Sequence, residues 1–140
     1  MSYTIQPVVL TVLLESGKIL LTKRSEKHPE DAAFNNVWQI PGGGLEFAET
    51  PEQTAMREAR EELGIEVQVD YVLPYIYTTV RGNWQGILLP YRCSRRFPEQ
   101  EIVLNDESTE YRWVSRKDYP TLPLTPFTEL IIKRVFEHEG

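Results

Sequence analysis

Three carboxylates stand close together in the segment REAREELG, at Glu58, Glu61 and Glu62. On a helix these positions are related as i, i+3 and i+4, so the three side chains project from one side and repel one another. Only Arg57 and Arg60 dilute this charge, which indicates that a cation lies over the glutamates. The donors are all oxygen, with no cysteine or histidine nearby, so the pattern favours a hard ion, Mg2+ first and Mn2+ second. For the glutamates alone, a solvated acidic helix face held by arginine pairs is the simpler alternative.

A glycine-rich segment directly before this helix changes that balance. Gly42, Gly43 and Gly44 follow Pro41 and leave backbone N–H and C=O groups open to a metal ion or a phosphate. A hard divalent ion held by carboxylates keeps waters and binds substrate phosphates, so the loop and the helix together predict hydrolysis of a polyphosphate. A run of glycines on its own would more simply be a tight turn.

The sequence also predicts where the helix begins and ends. Thr50 stands at an N-cap, Pro51 at the first helical position, and Gln53 completes a capping box. Gly64 is placed to end the helix. Apolar residues at helical spacing can pack on a sheet: Ala55, Met56, Ala59 and Leu63. We therefore expect a short amphipathic helix from about Pro51 to Leu63.

The rest of the chain predicts strands on both sides of this helix and one further helix. Residues 8–14 and 18–24 have the pattern of two strands, joined by a hairpin turn at Ser16-Gly17. A polar loop near the site should cover residues 25–36. Further strand-like runs cover residues 65–80 with a break near Pro74, then 84–97 and 111–114. A final amphipathic helix should begin at Thr125 or Pro126, with an inward face formed by Phe127, Leu130, Ile131, Arg134 and Val135.

Residues 43–65 resemble the Nudix box, and the chain is similar to Nudix hydrolases of the MutT type. The residues at the seven most diagnostic positions of that box are Gly43, Glu49, Arg57, Glu58, Glu61, Glu62 and Gly64. The segments KILLTKR, NNVWQIPGGGLEF and EYRWV also resemble family elements in the expected order, so the likeness covers most of the chain. It implies an α/β (α+β) fold, an α/β/α sandwich around a central mixed β-sheet. We expect a single domain over residues 1–140.

Roles for the box residues follow from the resemblance, position by position. Glu61 and Glu62 match the principal metal-binding glutamates of the family. Glu58 matches the glutamate that binds metal through water or orients the attacking water. Arg57 and Glu49 match a pair that braces the loop against the helix, which implies an orienting role in catalysis rather than proton transfer.

The resemblance also implies roles outside the helix. The carbonyl of Gly42 is expected to join the metal shell, and Gly43 and Gly44 are expected to contact substrate. Arg24 matches a basic residue that can touch substrate phosphate, with a solvated strand-end arginine as the alternative. Ala48 stands where glycine is common, which suggests a slightly different path for the loop.

A distal loop often supplies a further carboxylate to the metal in this family. Here the segment NDESTEYRWV offers Asp106, Glu107 and Glu110, and we expect Glu107. Glu110 begins an alternating run, so a strand position is its alternative, and for Glu107 the alternative is a plain surface acid.

Composition sets bounds on partners and compartment. The chain has 140 residues, one typical domain, and a formal net charge of −6, which argues against binding a nucleic acid polymer or an anionic membrane. The single cysteine, Cys93, is expected to be a buried small hydrophobe. Because no secretory or transmembrane segment is visible, the cytoplasm is the expected compartment. The oligomeric state stays open between monomer and homodimer.

The preferred hypothesis is Mg2+-dependent hydrolysis of a small-molecule nucleotide. Water would cleave a nucleoside or deoxynucleoside triphosphate, or a related nucleoside diphosphate derivative, to monophosphate and pyrophosphate. One alternative is a Nudix hydrolase of ADP-ribose, a nucleotide sugar or another linked diphosphate, and another is a non-catalytic nucleotide-binding Nudix module. His28 and His138 are expected at the surface. The aromatic residues that could hold a base are Phe34, Trp38, Tyr75, Tyr77, Trp84 and Phe127.

Overall fold

A twelve-residue strand, β1 (Thr4–Glu15), is the strand around which the sheet is built in the computed structural model, which describes residues 2–25 and 36–139. β1 lies antiparallel to β2 (Lys18–Arg24) and parallel to β7 (Trp84–Arg95). The turn into β2 consists of Ser16 and Gly17, with φ of 51° and 76°. Two central residues with positive φ suit the right-handed twist of a two-residue hairpin. The predicted hairpin is confirmed.

Five further strands complete the eight that these residues form. They are β3 (Trp38–Gln39), β4 (Gly42–Gly44), β5 (Val67–Val72), β6 (Tyr77–Arg81) and β8 (Ser108–Ser115). β3 and β8 pair with β2, while β5 and β6 pair with successive parts of β7. β4 lies antiparallel to β1, with Leu10 opposite Gly42 and Val8 opposite Gly44. This pairing brings the glycine run into the sheet, and the gap between β5 and β6 contains the expected break at Pro74.

Two helices cover opposite faces of the sheet because side chains alternate along β1. Val9 and Leu13 pack towards α1 (Pro51–Leu63), whereas Leu10 and Val12 pack towards α2 (Pro126–Glu139). All four of these side chains are buried. The predicted α/β/α sandwich around a mixed sheet is confirmed.

The predicted inward face of α2 is partly wrong. Leu130 is 40% exposed, and the guanidinium of Arg134 lies over Tyr75, with Cζ 4.6 Å from the ring centroid. The helix is rotated from the expected orientation, because the apolar row that packs on the sheet continues to Phe136. The buried residues of α2 are Thr128, Ile131, Ile132, Val135 and Phe136.

Two other expectations concern surface and core. In the part of the chain that the structure describes, no helix is both long enough and apolar enough to cross a membrane. Cys93 is fully buried in the core under α1, as expected, and burial raises the pKa of its thiol to about 12.

Ile132→Ala and Leu130→Ala test which face of α2 carries the packing. Ile132 is completely buried, so its truncation should lower the free energy of unfolding by about 2–5 kcal/mol. The half-exposed Leu130 should lose under about 1 kcal/mol. Urea denaturation of both variants measures the difference, and equal losses would contradict the observed orientation of α2.

Candidate active site

Local signals around α1 fix the position of the acidic residues. Thr50 Oγ1 accepts the N–H of Gln53 (3.2 Å), and Gln53 Oε1 accepts the N–H of Thr50 (2.9 Å), so the expected capping box is present. Gly64 ends the helix in the left-handed region at φ 66°. The buried side of α1 carries Thr54, Ala55, Ala59 and Leu63. The glutamates therefore lie along the side of the helix that borders β4.

The guanidinium of Arg57 joins the glycine strand, the loop and the acidic face. Its Nε donates to Glu49 Oε2 at 2.7 Å, and its Nη2 donates to the carbonyl of Gly44 at 3.0 Å. Its Nη1 donates to Glu58 at 2.9 Å and to Glu61 at 3.2 Å. The bonds to Glu49 and then to Glu58 hold the pKa of Arg57 well above its ordinary value. The geometry is that of the bracing pair expected for Arg57 and Glu49.

The loop between β4 and α1 keeps a conformation that glycine adopts more easily. Ala48 has φ 68°, so alanine itself takes the left-handed backbone here. The expected difference in loop path stays a prediction. This turn delivers Glu49, whose carboxylate also accepts the hydroxyl of Thr54 at 2.7 Å. Hydrogen bonds from Arg57 and then Thr54 lower the pKa of Glu49 to about 2.

Glu58 and Glu62 form a carboxylate pair beneath the glycines. The N–H of Gly42 donates to Glu62 Oε2 at 3.2 Å, and a Cβ on Gly43 would lie only 2.3 Å from the carboxylate carbon of Glu58. Any larger residue at position 43 would therefore displace this carboxylate from its observed position. Burial raises the pKa of both glutamates, and for Glu62 the charges of Glu58 and Glu107 raise it further.

Glu61 lies further out than its two neighbours. Its side chain is 54% exposed and bonds to Arg57, whereas the side chain of Glu58 is 12% exposed. Among residues 2–25 and 36–139, no set of three or more His, Cys, Asp or Glu side chains is already arranged around one metal position. In this arrangement Glu61 is bonded to Arg57 and does not form a three-carboxylate cluster with Glu58 and Glu62.

A cavity of about 310 Å³ opens beside Glu62, between the sheet and the start of α2. Four residues of the predicted site contribute to its wall, namely Arg24, Gly42, Glu62 and Glu107. Gly43 and Gly44 do not line it; their neighbours are Glu58 and Gln6. Three of the six candidate aromatic residues also line the cavity: Trp38, Trp84 and Phe127.

Glu107 and Glu110, the two candidates for a further carboxylate, differ in position: Glu110 lies in β8 and Glu107 lies before it. Glu110 lies in β8 opposite Lys23, with an ion pair of 3.4 Å, which agrees with the strand alternative. Glu107 precedes β8, and its carbonyl accepts the N–H of Ser25 at 3.0 Å. The same contact brings Glu107 next to Arg24 at the end of β2. Phe34 and His28 lie outside the described residues.

Comparison with known proteins agrees with this geometry. A model of the NUDIX domain matches residues 4–135, which is nearly the whole chain. The chain belongs to the Nudix family. The expectation of a pyrophosphohydrolase acting on phosphorus anhydrides is thereby confirmed.

Similar Nudix proteins include enzymes and solved structures. A nucleoside triphosphatase named NudI from Enterobacter sp. (strain 638) is 28% identical over 131 residues, 88% of this chain and 91% of that one. A MutT-like protein of Streptomyces ambofaciens is 34% identical over 104 residues, 74% of this chain and 59% of that protein. The crystal structure of a MutT protein from Methanosarcina mazei Go1 aligns with a TM-score of 0.80 at 21% identity, covering 99% of this chain and 97% of that one. At this identity the last likeness shows the fold alone.

Sequence reasoning missed several residues of the Nudix cavity. Thr79, Arg81 and Thr125 line it, and Gln6 contacts both Trp84 and the glycine strand. The alternation of β1 could have placed Gln6 on the same face as Leu10, but its partners come from strands far along the chain.

Ala48→Gly should stabilise the Nudix fold by about 1 kcal/mol, because the left-handed backbone at this position costs alanine roughly that much. Ala59→Gly is the matched control, since it makes the same chemical change inside α1, where it should cost about 1 kcal/mol or more. Urea denaturation of both variants gives the signs. A loss of stability in Ala48→Gly would contradict the strain assigned to this loop.

The depressed pKa of Glu49 predicts a pH-dependent contribution to stability. Because the folded-state value of about 2 lies below the ordinary 4.5, this contribution is complete above pH 4.5 and is lost as pH falls towards 2. The difference in unfolding free energy between the natural protein and Glu49→Gln should therefore narrow between neutral pH and about pH 3. Denaturation curves of both proteins at several pH values measure this difference in unfolding free energy. If the difference does not change with pH, the ion pair of Glu49 with Arg57 does not contribute to stability.

Proposed function

We propose that this Nudix protein hydrolyses a nucleoside or deoxynucleoside triphosphate, or a related nucleoside diphosphate derivative, to the monophosphate and pyrophosphate. In this reaction a water oxygen bonds to phosphorus while an anhydride P–O bond breaks. The observation that carries the proposal is the carboxylate pair of Glu58 and Glu62 under Gly42 and Gly43, at the edge of a nucleotide-sized cavity.

The donor set fits a divalent cation. Two adjacent carboxylates with raised pKa values need a proton or a cation between them, and their oxygens suit Mg2+, with Mn2+ as the second choice. We assign Glu58, Glu61, Glu62 and the carbonyl of Gly42 as ligands, with Glu107 completing the set from the distal loop. Such an ion, when bound, neutralises phosphate charge and lowers the pKa of water.

The other side chains have binding and orienting roles in this proposal. Arg57 and Glu49 keep Glu58 in place beside β4, and Glu58 orients the attacking water. Arg24 neutralises a substrate phosphate at the rim. Gly43 and Gly44, which do not line the cavity, are not assigned the substrate contact expected for them. No covalent enzyme intermediate is needed.

The substrate class rests on two kinds of support. The cavity beside Glu62 combines aromatic walls with polar groups, as nucleotide sites do. Enzymes with names such as nucleoside triphosphatase and putative 8-oxo-dGTP diphosphatase are among the similar proteins. A single domain over residues 1–140 and a cytoplasmic location stay part of the proposal.

Glu62→Gln tests the proposed chemistry, with Glu52→Gln as its control on the same helix. Glu52 is exposed in the first turn of α1, away from the glycine strand. Release of phosphate or monophosphate should be followed across nucleoside triphosphates, ADP-ribose and nucleotide sugars with Mg2+. We expect triphosphate turnover that falls at least about 100-fold in Glu62→Gln and stays unchanged in Glu52→Gln.

Three outcomes would contradict parts of this proposal. Turnover confined to ADP-ribose or a nucleotide sugar would replace the substrate and keep the mechanism. Full activity in Glu62→Gln would remove this residue from the metal site. Nucleotide binding without any turnover would favour the non-catalytic alternative.

A further inference from the structure

The indole of Trp84 lies across the backbone of the neighbouring strand position. Trp84 and Gly86 are two residues apart in β7, so they share the cavity face of the sheet. A Cβ on Gly86 would lie only 2.6 Å from Cη2 of Trp84 and 3.1 Å from Cζ3. The absence of a side chain at Gly86 therefore lets the ring lie over the sheet instead of standing away from it.

Gln6 fixes the orientation of this ring from the adjacent strand. It lies opposite Gly86 in the parallel pairing of β1 with β7, and its Oε1 accepts the indole Nε1–H at 3.1 Å. The other polar atom of this amide, Gln6 Nε2, lies close to Gly44. A Cβ added to Gly44 would be only 2.1 Å from that nitrogen. Gly44 in turn accepts a hydrogen bond from Arg57. One amide thus contacts both the wall of the cavity and the strand that borders the acidic face.

The ring is placed to accept a planar group. One face of the indole rests against Gly86, and the guanidinium of Arg81 lies over the ring with Cζ 5.0 Å from its centroid. Arg81 therefore covers this part of the ring, and a base that stacks here takes the place of the guanidinium. A nucleobase can use the same face.

The spacing along β1 suits a nucleotide. Gly42 is paired with Leu10 of β1. Gln6 lies four residues before Leu10 in the same strand, so about 13 Å separate the two positions. A substrate whose phosphates lie at Gly42 and Glu62 can therefore reach Trp84 with its base through the same cavity.

We propose that the outer face of Trp84 is the surface on which the substrate base stacks, and that Gln6 is the positioning residue that keeps the ring flat. This inference rests on the proposed function, because it takes the ligand to be a nucleotide. Any base has a face that can stack, so purines, with their larger rings, should bind more tightly than pyrimidines. Gln6 would then influence binding of the base without touching the phosphates.

The test uses nucleoside monophosphates and a ligand without a base. Quenching of tryptophan fluorescence should be titrated with AMP, GMP, CMP and UMP, and competition by ribose 5-phosphate should be measured alongside. Trp84→Phe identifies the contribution of Trp84 against those of Trp38 and Trp113. We expect quenching by the bases that is lost in Trp84→Phe.

Gln6→Leu removes the amide at similar size. We expect about 10-fold weaker binding of the best monophosphate, unchanged affinity for ribose 5-phosphate, and a raised KM with unchanged kcat for the matching triphosphate. Gln6→Glu retains an acceptor for the indole N–H, so its affinity for the monophosphate, measured by quenching, should be higher than that of Gln6→Leu. In the Trp84→Phe background, Gln6→Leu should cause no further rise in the KM of the triphosphate, because both changes remove the same contact.

Several results would overturn the inference. These are no quenching by any monophosphate, equal weakening of monophosphate and ribose 5-phosphate in Gln6→Leu, or additive effects in the double variant. If natural protein turns over triphosphates and Gln6→Leu retains full base affinity, the proposed function stands and this inference fails. If bases quench Trp84 but no nucleotide is hydrolysed, the proposed function fails and the stacking surface stands.

Discussion

The arrangement of the candidate site depends on two partly buried carboxylates, Glu58 and Glu62, that lie next to each other. Glu58 and Glu62 repel one another, and burial makes their charged forms still less favourable. The surroundings offset this in two ways: Arg57 donates to Glu58, and the N–H of Gly42 donates to Glu62. Both donors require α1 and β4 to meet at one distance and one register. The sheet, the loop and the helix caps can be understood as the means of holding that register.

The glycines of β4 lie very close to atoms of β1 and α1. A Cβ at Gly42 would lie 2.1 Å from the carbonyl oxygen of Val9, and one at Gly43 would overlap the carboxylate of Glu58. The glycines are therefore required by contacts on both sides of β4, with β1 on one side and α1 on the other. Flexibility of the loop is not needed to explain them. Arg57 completes the arrangement by bonding to the carbonyl of Gly44.

Local sequence signals predicted the parts of the structure that local interactions determine. The caps at Thr50 and Gly64 gave the bounds of α1, and Ser16-Gly17 gave the hairpin. The face of α2 was partly missed because tertiary contacts decide its rotation, and periodicity alone allows neighbouring solutions.

In the candidate site, too, local features were predictable and contacts between distant residues were not. The helix face and glycine run follow from spacing, whereas the contact of Gln6 with Trp84 joins residues 78 positions apart. No local pattern encodes such a contact. Alternation already indicated a strand position for Glu110, and the register of β8 against β2 places it opposite Lys23.

The parallel pairing of β1 with β7 also affects how the chain folds. Thr4 lies beside Trp84 and Leu13 beside Cys93, so the central strand completes its hydrogen bonding only after more than half of the chain has emerged. Contacts between such distant segments carry a large loop-closure entropy and slow the search for the native state. The β1–β2 hairpin and α1 can form early from their own turn and cap signals. On the ribosome, however, β1 would have an unpaired edge until β7 arrives, and this edge is the region where a nascent chain of this protein is most exposed to misassociation.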